Sequence, residues 1–523
     1  MKKFIIYLMA ITSPALLLQC NSLEMEPESS ITDANYWKTE AHFSAFNTGL
    51  HSLLRKYSYH YFLLGESRAN LYCDDNPFGG EATQGIERLP YNTLNKENPV
   101  VSNFGGLYVP IERLNMMIRR TSETDLLTDA DKNYYLGEAY GMRAYLYFHL
   151  LRSWGDVVLS TDPTDGASLD VFNLAKAASP AADVMKQIKA DIEASEKAFG
   201  DNHSFKYGRH YWSLSATWML KGEVYLWSGR QMGGGNADYQ VARMALEQVG
   251  KADVALSEKF ESVFAFSNKK NKEIIFTIHS QKDEFSLWDD RYRMNMLPQD
   301  AYMSLYYDEE GKPYQKEPAL EKLRGLIRLQ INYDMYQTLF RDEDSRKRAT
   351  LKAVYSKDKG DSLKYVAPYA NKFKGSLVEG NSSCSMLDDY PIYRYADCLL
   401  MLAEVKVLLG EDPAEEINKV RERAYGAKYF KENKDKIAYP NDTDPTVYTN
   451  NRYVGSDADA LEAILKERLR EFMFEGKRWY DLRLLGEPYL SKYSKANASR
   501  LLWPINEDVL TNNPLLKQTP GYE

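Results

Sequence analysis

Cysteine is scarce, with 4 in 523 residues. Apart from Cys20 the thiols are Cys73, Cys384 and Cys398, and an odd number without regular spacing excludes a disulfide framework. Cys398 lies beside Leu399, Leu400 and Leu402 and reads as a buried thiol. Histidine is equally sparse: His42, His51, His60, His149, His203, His210 and His279 show no metal-ligand spacing, and no His-Glu-x-x-His occurs. Basic charge is not in excess. The net charge is −8 and no basic patch carries interleaved aromatics, which removes the case for nucleic acid. Beyond the N-terminus no apolar run reaches the ~18 residues of a membrane-spanning helix. No Pro/Gly/Ser-rich linker divides the chain. Length over ~150 suggests about three domains, but the absence of linkers favours one large body.

Catalytic signatures are missing too. Gly65-Glu66-Ser67-Arg68-Ala69 departs from the nucleophile elbow at its last residue, and no strand precedes it. Gly233-Gly234-Gly235 lacks the Lys-Ser/Thr of a phosphate loop and reads as a turn between helices. Asp442, Asp444, Asp457 and Asp459 do not follow the EF-hand pattern. Asp74–Asp75 and Asp289–Asp290 resemble glycosidase carboxylate pairs, yet a chain with 74 acidic residues brings carboxylates together by chance. The chain is therefore read as a binding protein rather than an enzyme, with no cofactor and no metal.

Lys2 and Lys3 precede an apolar run from Phe4 to Leu18, and Cys20 follows. This run of about 15 residues is shorter than the ~20 that span a bilayer. A charged start, apolar middle and abrupt end describe a secretory signal over residues 1–19. Leu17 and Cys20 resemble the lipobox of a bacterial lipoprotein, with Gln19 where a small residue is usual. The alternative is a plain signal with an incidental cysteine. Glu24, Glu26 and Glu28 follow at once and resemble a surface-export tag.

Periodicity predicts helices over Trp37–Lys56, Tyr108–Arg120, Ala130–Trp154, Ala181–Phe199, Tyr211–Trp227 and Asp238–Val249. Trp218, Gly222 and Tyr225 match a tetratricopeptide pattern, with Lys221 in its Leu position. Ala396 to Glu404 and Ala414 to Arg423 suggest a second helix pair. Lys272–His279 reads as a strand. Three irregular stretches remain: Gly65–Glu97, residues 255–390, and Lys428–Tyr453; long loops in a packed body are usually functional. Tyrosine is abundant, at 39, and most of it is assigned to helix packing.

Arg470 to Leu485 ends a helical run from near Asp457 in which aromatics and charges share faces. That pattern predicts a buried junction with internal Arg–carboxylate pairs. Glu467, Arg468, Glu471, Glu475, Gly476, Arg478, Trp479, Asp481, Leu482 and Arg483 resemble the late signature of the SusD/RagB family of outer-membrane nutrient-binding lipoproteins. The likeness continues in Gly137-Glu138-Ala139, Arg143-Ala144-Tyr145 and Trp154-Gly155-Asp156, with Val158 in place of the usual Pro. Tyr390-Pro391-Ile392, Arg394-Tyr395-Ala396-Asp397, Glu416 to Arg421, Trp503-Pro504-Ile505 and Gln518 to Tyr522 extend it over nearly the whole chain.

The resemblance implies a mainly α fold of tetratricopeptide-like helix pairs forming one scaffold, with long irregular loops and a few short strands. The scaffold would occupy about 30–255 and 385–523 of a single unit from residue 20, and a loop-rich ligand face about 255–385. It implies lipid attachment at Cys20, an outer-membrane position facing the exterior, and a SusC-like TonB-dependent transporter as partner. The ligand would be an oligosaccharide or, in some members, a peptide. Binding residues vary in this family, so the nominated contacts come from the loops: Arg68, Asp74, Asp75, Asn76, Phe78, Trp288, Arg291 and Tyr292. A helical-repeat scaffold that binds only proteins, and a lipoprotein hydrolase, are the rival readings.

Overall fold

The computed structural model describes residues 36–73, 85–102, 104–164, 174–314, 323–378 and 384–523. Its longer helices are α1 (Glu40–Glu66), α2 (Tyr108–Glu123), α3 (Asp129–Trp154), α4 (Ala181–Phe199), α5 (Leu214–Gln231), α6 (Gly235–Val249), α7 (Tyr395–Leu408), α8 (Ala414–Tyr425), α9 (Ala460–Phe472) and α10 (Arg478–Leu485). Side-chain caps start three of them by satisfying otherwise orphaned N–H groups: Thr128 accepts from Asp131, Ser213 from Ala216, and Asp459 from Leu461 and Glu462. In α4, Val184, Ile188, Asp191, Ile192 and Ser195 share the buried face, whereas α5 is buried on nearly all sides because α4 and α6 flank it.

From α2 to α8 each helix packs on the next in sequence. These are the helix pairs that the fold class anticipated. Gly222 shows why the tetratricopeptide pattern asks for glycine: a Cβ there would lie 2.6 Å from Leu246, so only glycine lets α6 come this close to α5. Among the described residues no helix is long and apolar enough to cross a membrane.

The strands are β1 (Tyr72–Cys73), β2 (Ile274–Ile278), β3 (Gln330–Ile331), β4 (Leu351–Lys357), β5 (Leu363–Ala370) and β6 (Tyr390–Arg394). They form three two-stranded antiparallel sheets, β1–β3, β2–β6 and β4–β5. The expected strand at Lys272–His279 is β2, every residue of it buried.

Three expectations change. Helix α1 runs on to Glu66, because Tyr57, Tyr59, Tyr61 and Phe62 all pack inside and extend the buried face beyond Lys56. The late helical run is two helices, broken where Phe474 and Gly476 take left-handed φ values of 72° and 70°. The loop-rich middle contains the β4–β5 hairpin, and Lys428–Tyr453 contains three one- or two-turn helices. The main hydrophobic core is continuous from the scaffold into the middle region, with Trp154, Trp212, Trp479 and Trp503 fully buried. Cys398 is buried, as its neighbours implied.

Candidate functional site

The late signature builds the scaffold rather than a ligand contact. At the break between α9 and α10, α1 crosses the Glu475–Gly476 turn so closely that a Cβ on Gly65 would sit 1.6 Å from the Gly476 carbonyl oxygen. Glu66 closes the crossing by accepting the N–H groups of Phe474 (2.9 Å) and Gly476 (3.0 Å) and the Tyr72 hydroxyl. Burial pushes the Glu66 carboxyl up to about 7 in spite of these bonds. Beneath the turn, Arg394 is fully buried and pairs with Glu273, Glu471 (2.9 Å) and Glu475 (2.7 Å). Arg346 pairs with Asp344, Glu467 and Glu471, and Arg421 with Asp457 and Glu467. Burial alone would raise the Glu467 carboxyl; Arg346, Arg421, Arg470 and Lys466 reverse this and hold it near 2. Buried ions of this kind are tolerated only when fully paired, so removing one partner is costly.

The nominated contacts fare unevenly. Arg68 is fully buried, its guanidinium 4.7 Å from the Trp479 ring and 5.5 Å from that of Trp503. It donates to Asn92 Oδ1 and to the carbonyls of Arg500, Leu501 and Leu502. Its donors are committed to the interior, which corrects the expectation that it meets a ligand. Trp288 is 3 % exposed and boxed by Tyr59, Phe62, Tyr292, Phe373 and Tyr390. Tyr292 is fully buried and donates to the Lys372 carbonyl at 2.8 Å. Both are therefore core aromatics, again a correction; the loop around Trp288 looked polar in sequence because Tyr59, Phe62, Phe373 and Tyr390 lie far away along the chain. Trp288 also takes φ 61°, a left-handed backbone that the aromatic box must hold in place. Arg291 alone of these four is exposed, close enough that its charge reaches His60 and Tyr59. Asp74, Asp75, Asn76 and Phe78 lie outside the described residues, as does Cys20.

A second surface of the loop-rich middle has the chemistry of a recognition cleft. The β4–β5 hairpin sets Tyr355 opposite Tyr365, with ring centroids 5.8 Å apart in edge-to-face geometry. The short helix Met335–Thr338 lays the Tyr336 ring parallel to Tyr365 at 6.4 Å. The helix Arg346–Thr350 leads into β4 and supplies Lys347 and Arg348. Arg348 Nε donates to Glu309 Oε1 at 2.7 Å, and the Tyr336 hydroxyl donates to Glu309 Oε2 at 3.0 Å. Lys347 Nζ lies 4.5 Å from the Tyr336 ring and pairs with Asp342 at 2.6 Å. Thr446 and Val447, from the third irregular stretch, line the same cleft of about 930 Å3. Tyr355 and Arg348 are accessible, and the bonds to Arg348 and Tyr336 hold the Glu309 carboxyl below its ordinary range. Lys347 does the same to Asp342, so neither acid carries a proton to donate at neutral pH. Tyr336, Tyr355 and Arg348 were missed in the sequence. The available signal was the run of tyrosines from Tyr302 to Tyr369, but a tyrosine count cannot tell a cleft from a core.

Comparison with known proteins fits this architecture. The model of the SusD family matches residues 261–483, and a model described as starch-binding associating with outer membrane matches residues 28–221. A SusD superfamily protein from Bacteroides vulgatus is 60 % identical, covering 93 % of this chain and 100 % of its own, with a TM-score of 0.89. The chain belongs to the SusD family. B. fragilis NanU is 62 % identical over 95 % of this chain and 100 % of its own, with a TM-score of 0.91. SusD-like protein P38 of Formosa agariphila is 27 % identical over the full length of both chains. At 21 % identity and a TM-score of 0.69, a laminarin binding SusD-like protein shares the fold.

Proposed function

We propose that this SusD-family chain is a lipoprotein of the cell surface that captures an oligomeric glycan and passes it to a SusC-like TonB-dependent transporter. Cys20 carries the lipid, and the chain faces the exterior of the outer membrane. The observation that carries the binding part is the cleft in which Tyr355 and Arg348 are accessible and Glu309 is fixed beside them, with the buried Tyr336 in its wall. A tyrosine ring offers a flat apolar face with a polar tip, which suits the C–H face of a sugar beside its hydroxyls. The fixed Arg348–Glu309 pair offers donors and acceptors that need no reorganisation on binding. The kinship with a laminarin binding protein and with the starch-binding description points toward glycan rather than peptide. Screening the purified protein against oligosaccharide and peptide libraries, followed by calorimetry and product analysis, tests the reading. Tight binding of an oligosaccharide that is recovered intact is expected. Binding of peptides alone, or hydrolysis of the glycan, would overturn it.

A further inference from the structure

Three of the seven histidines gather beside one end of the β2–β6 sheet. His279 follows β2, and its ring centroid lies 5.0 Å from that of His210. Tyr211 stands 4.9 Å from His210 and 4.5 Å from His51 on α1. His51 is buried and committed: Nδ1 donates to the Asn47 carbonyl at 2.9 Å and Nε2 accepts the Trp212 N–H at 2.9 Å. His210 and His279 are half-buried. His279 Nδ1 lies 3.0 Å from Asp389 Oδ1, and since a carboxylate only accepts, that nitrogen carries a proton. Asp389 also accepts from Lys269 Nζ (2.8 Å) and from the Ser280 N–H (3.0 Å). The charges of Arg55 and Glu284 reach His210 as well. Two cations, Arg55 and Lys269, thus already engage the two carboxylates, Glu284 and Asp389. No carboxylate of the cluster is left over for a charged His210. The turn after His279 depends on these same groups. Gln281 and Phe285 exchange two backbone bonds of 2.9 Å, Asp283 takes φ 64°, and Gln281 to Glu284 are exposed. Arg55 pairs with Glu284 and lies 5.3 Å from the Phe285 ring, while Asp389 holds Ser280. The turn is therefore fastened to the body mainly by charge, and little apolar surface is buried before Leu287. Segments of that kind open locally while the core stays folded.

We propose that His210 is an acid release for the turn Gln281–Phe285: a proton on its ring adds a cation beside Arg55 and His279 and loosens the ionic fastenings of the turn. Imidazole is the side chain whose ordinary range spans mildly acidic pH. The sign follows from the surroundings. Burial, with His279 and Arg55 nearby, lowers His210 to about 4 from its ordinary 6.5, so the closed turn rejects a proton that the open turn accepts. Closure is fully favoured above pH 6.5 and loses that advantage as pH falls toward 4. The carboxylates do not share this window. Arg55 holds Glu284 below its ordinary range, and His279 and Lys269 do so for Asp389 in spite of its burial. Both stay ionised at pH 5, so the fastenings themselves are intact when His210 takes up its proton. The inference is independent of what fills the tyrosine cleft.

Hydrogen–deuterium exchange of the full mature protein between pH 7.5 and 5, corrected for intrinsic exchange with unstructured peptides, tests it. A proton affinity rising from about 4 in the closed turn to 6.5 in the open one shifts the opening equilibrium by up to ~30-fold at pH 5. His210 is only half-buried, and solvent screening reduces the effect, so peptides spanning residues 279–287 should lose protection at least about fivefold. Peptides of α4 should keep theirs. His210→Asn should flatten the response to within about twofold. Asp388 adjoins Asp389, and burial raises its carboxyl to about 6, so it titrates in the same window. An acid response in His210→Asn equal to that of wild type would pass the role to Asp388 and overturn the proposal. Protection of 279–287 that stays constant in the wild type would overturn it too. A further measurement needs no variant: NMR of ring-labelled histidine should show His210 titrating below about pH 5, and a midpoint near the ordinary 6.5 would also overturn the proposal.

Discussion

Replacing Trp479 with alanine tests whether the family signature is scaffold. The indole is fully buried, and Arg68 covers its face at 4.7 Å. Truncating a buried tryptophan costs ~3–5 kcal/mol, through lost transfer energy and the cavity left behind. Loss of the cation–π contact belongs within that figure, at ~0.5–2 kcal/mol. The Arg68 bonds to Asn92 and to three backbone carbonyls remain available, so the guanidinium stays satisfied and the loss is not compounded by an orphaned charge. With an unfolding entropy of ~2.1 cal/mol/K per residue, a chain of about 500 residues gains ~1 kcal/mol/K, so the variant should melt ~3–5 °C lower. Thermal denaturation followed by circular dichroism, with glycan titration below the transition, reads both sides. Lower melting with retained affinity is expected. Wild-type melting with abolished binding would refute the reasoning and make the signature a contact surface.

Other parts of the account can be tested in the same way. Gly65→Ala would stabilise an ordinary helix by ~1 kcal/mol; here the added Cβ would fall 1.6 Å from the Gly476 carbonyl oxygen. Urea denaturation should therefore show a marked loss, and a gain would mean that α1 does not cross that turn. Glu66 has a folded pKa raised to about 7 by burial, so the native state holds a proton that the unfolded chain releases near pH 4.5. Its contribution to stability is present below pH 4.5 and is lost as pH rises toward 7. Glu66→Gln removes this titration, so its melting temperature should gain on wild type from pH 4.5 to 7.5; a difference that stays constant with pH would contradict the assignment. Cys20→Ala should abolish metabolic fatty-acid labelling and leave the protein unanchored or unprocessed, since stable membrane attachment depends on the buried acyl chains. Normal labelling of that variant would place the lipid elsewhere.

Where pattern and packing agree, the sequence was legible. Helix α4 shows its apolar face directly, and Gly222 with Trp218 and Tyr225 announced a close helix pair that the structure contains. The mixture of charges and aromatics from Glu467 to Arg483 signalled a buried ion lattice, since an exposed helix would have segregated them. What was illegible depended on partners distant in sequence. Trp288 has polar neighbours along the chain, and only folding brings Tyr59, Phe373 and Tyr390 around it. Arg68 likewise meets Trp479 and Trp503 more than 400 residues later, as its backbone bonds at separations of 432 to 434 residues show. The break at Phe474 and Gly476 escaped because apolar periodicity continued through it. The tyrosine cleft was hidden for a further reason: hairpin register, not local composition, sets Tyr355 against Tyr365.

Calorimetric titration of wild type and Tyr355→Ala with the tightest oligosaccharide from a glycan array tests the central claim most directly. Tyr355 is half-buried and lines the cleft, and truncating an aromatic anchor costs ~2 kcal/mol of binding. The account predicts affinity at least about tenfold weaker in the variant, with melting within a degree or so of wild type. Equal affinity in the two proteins would contradict it and move the binding surface away from the tyrosine cleft.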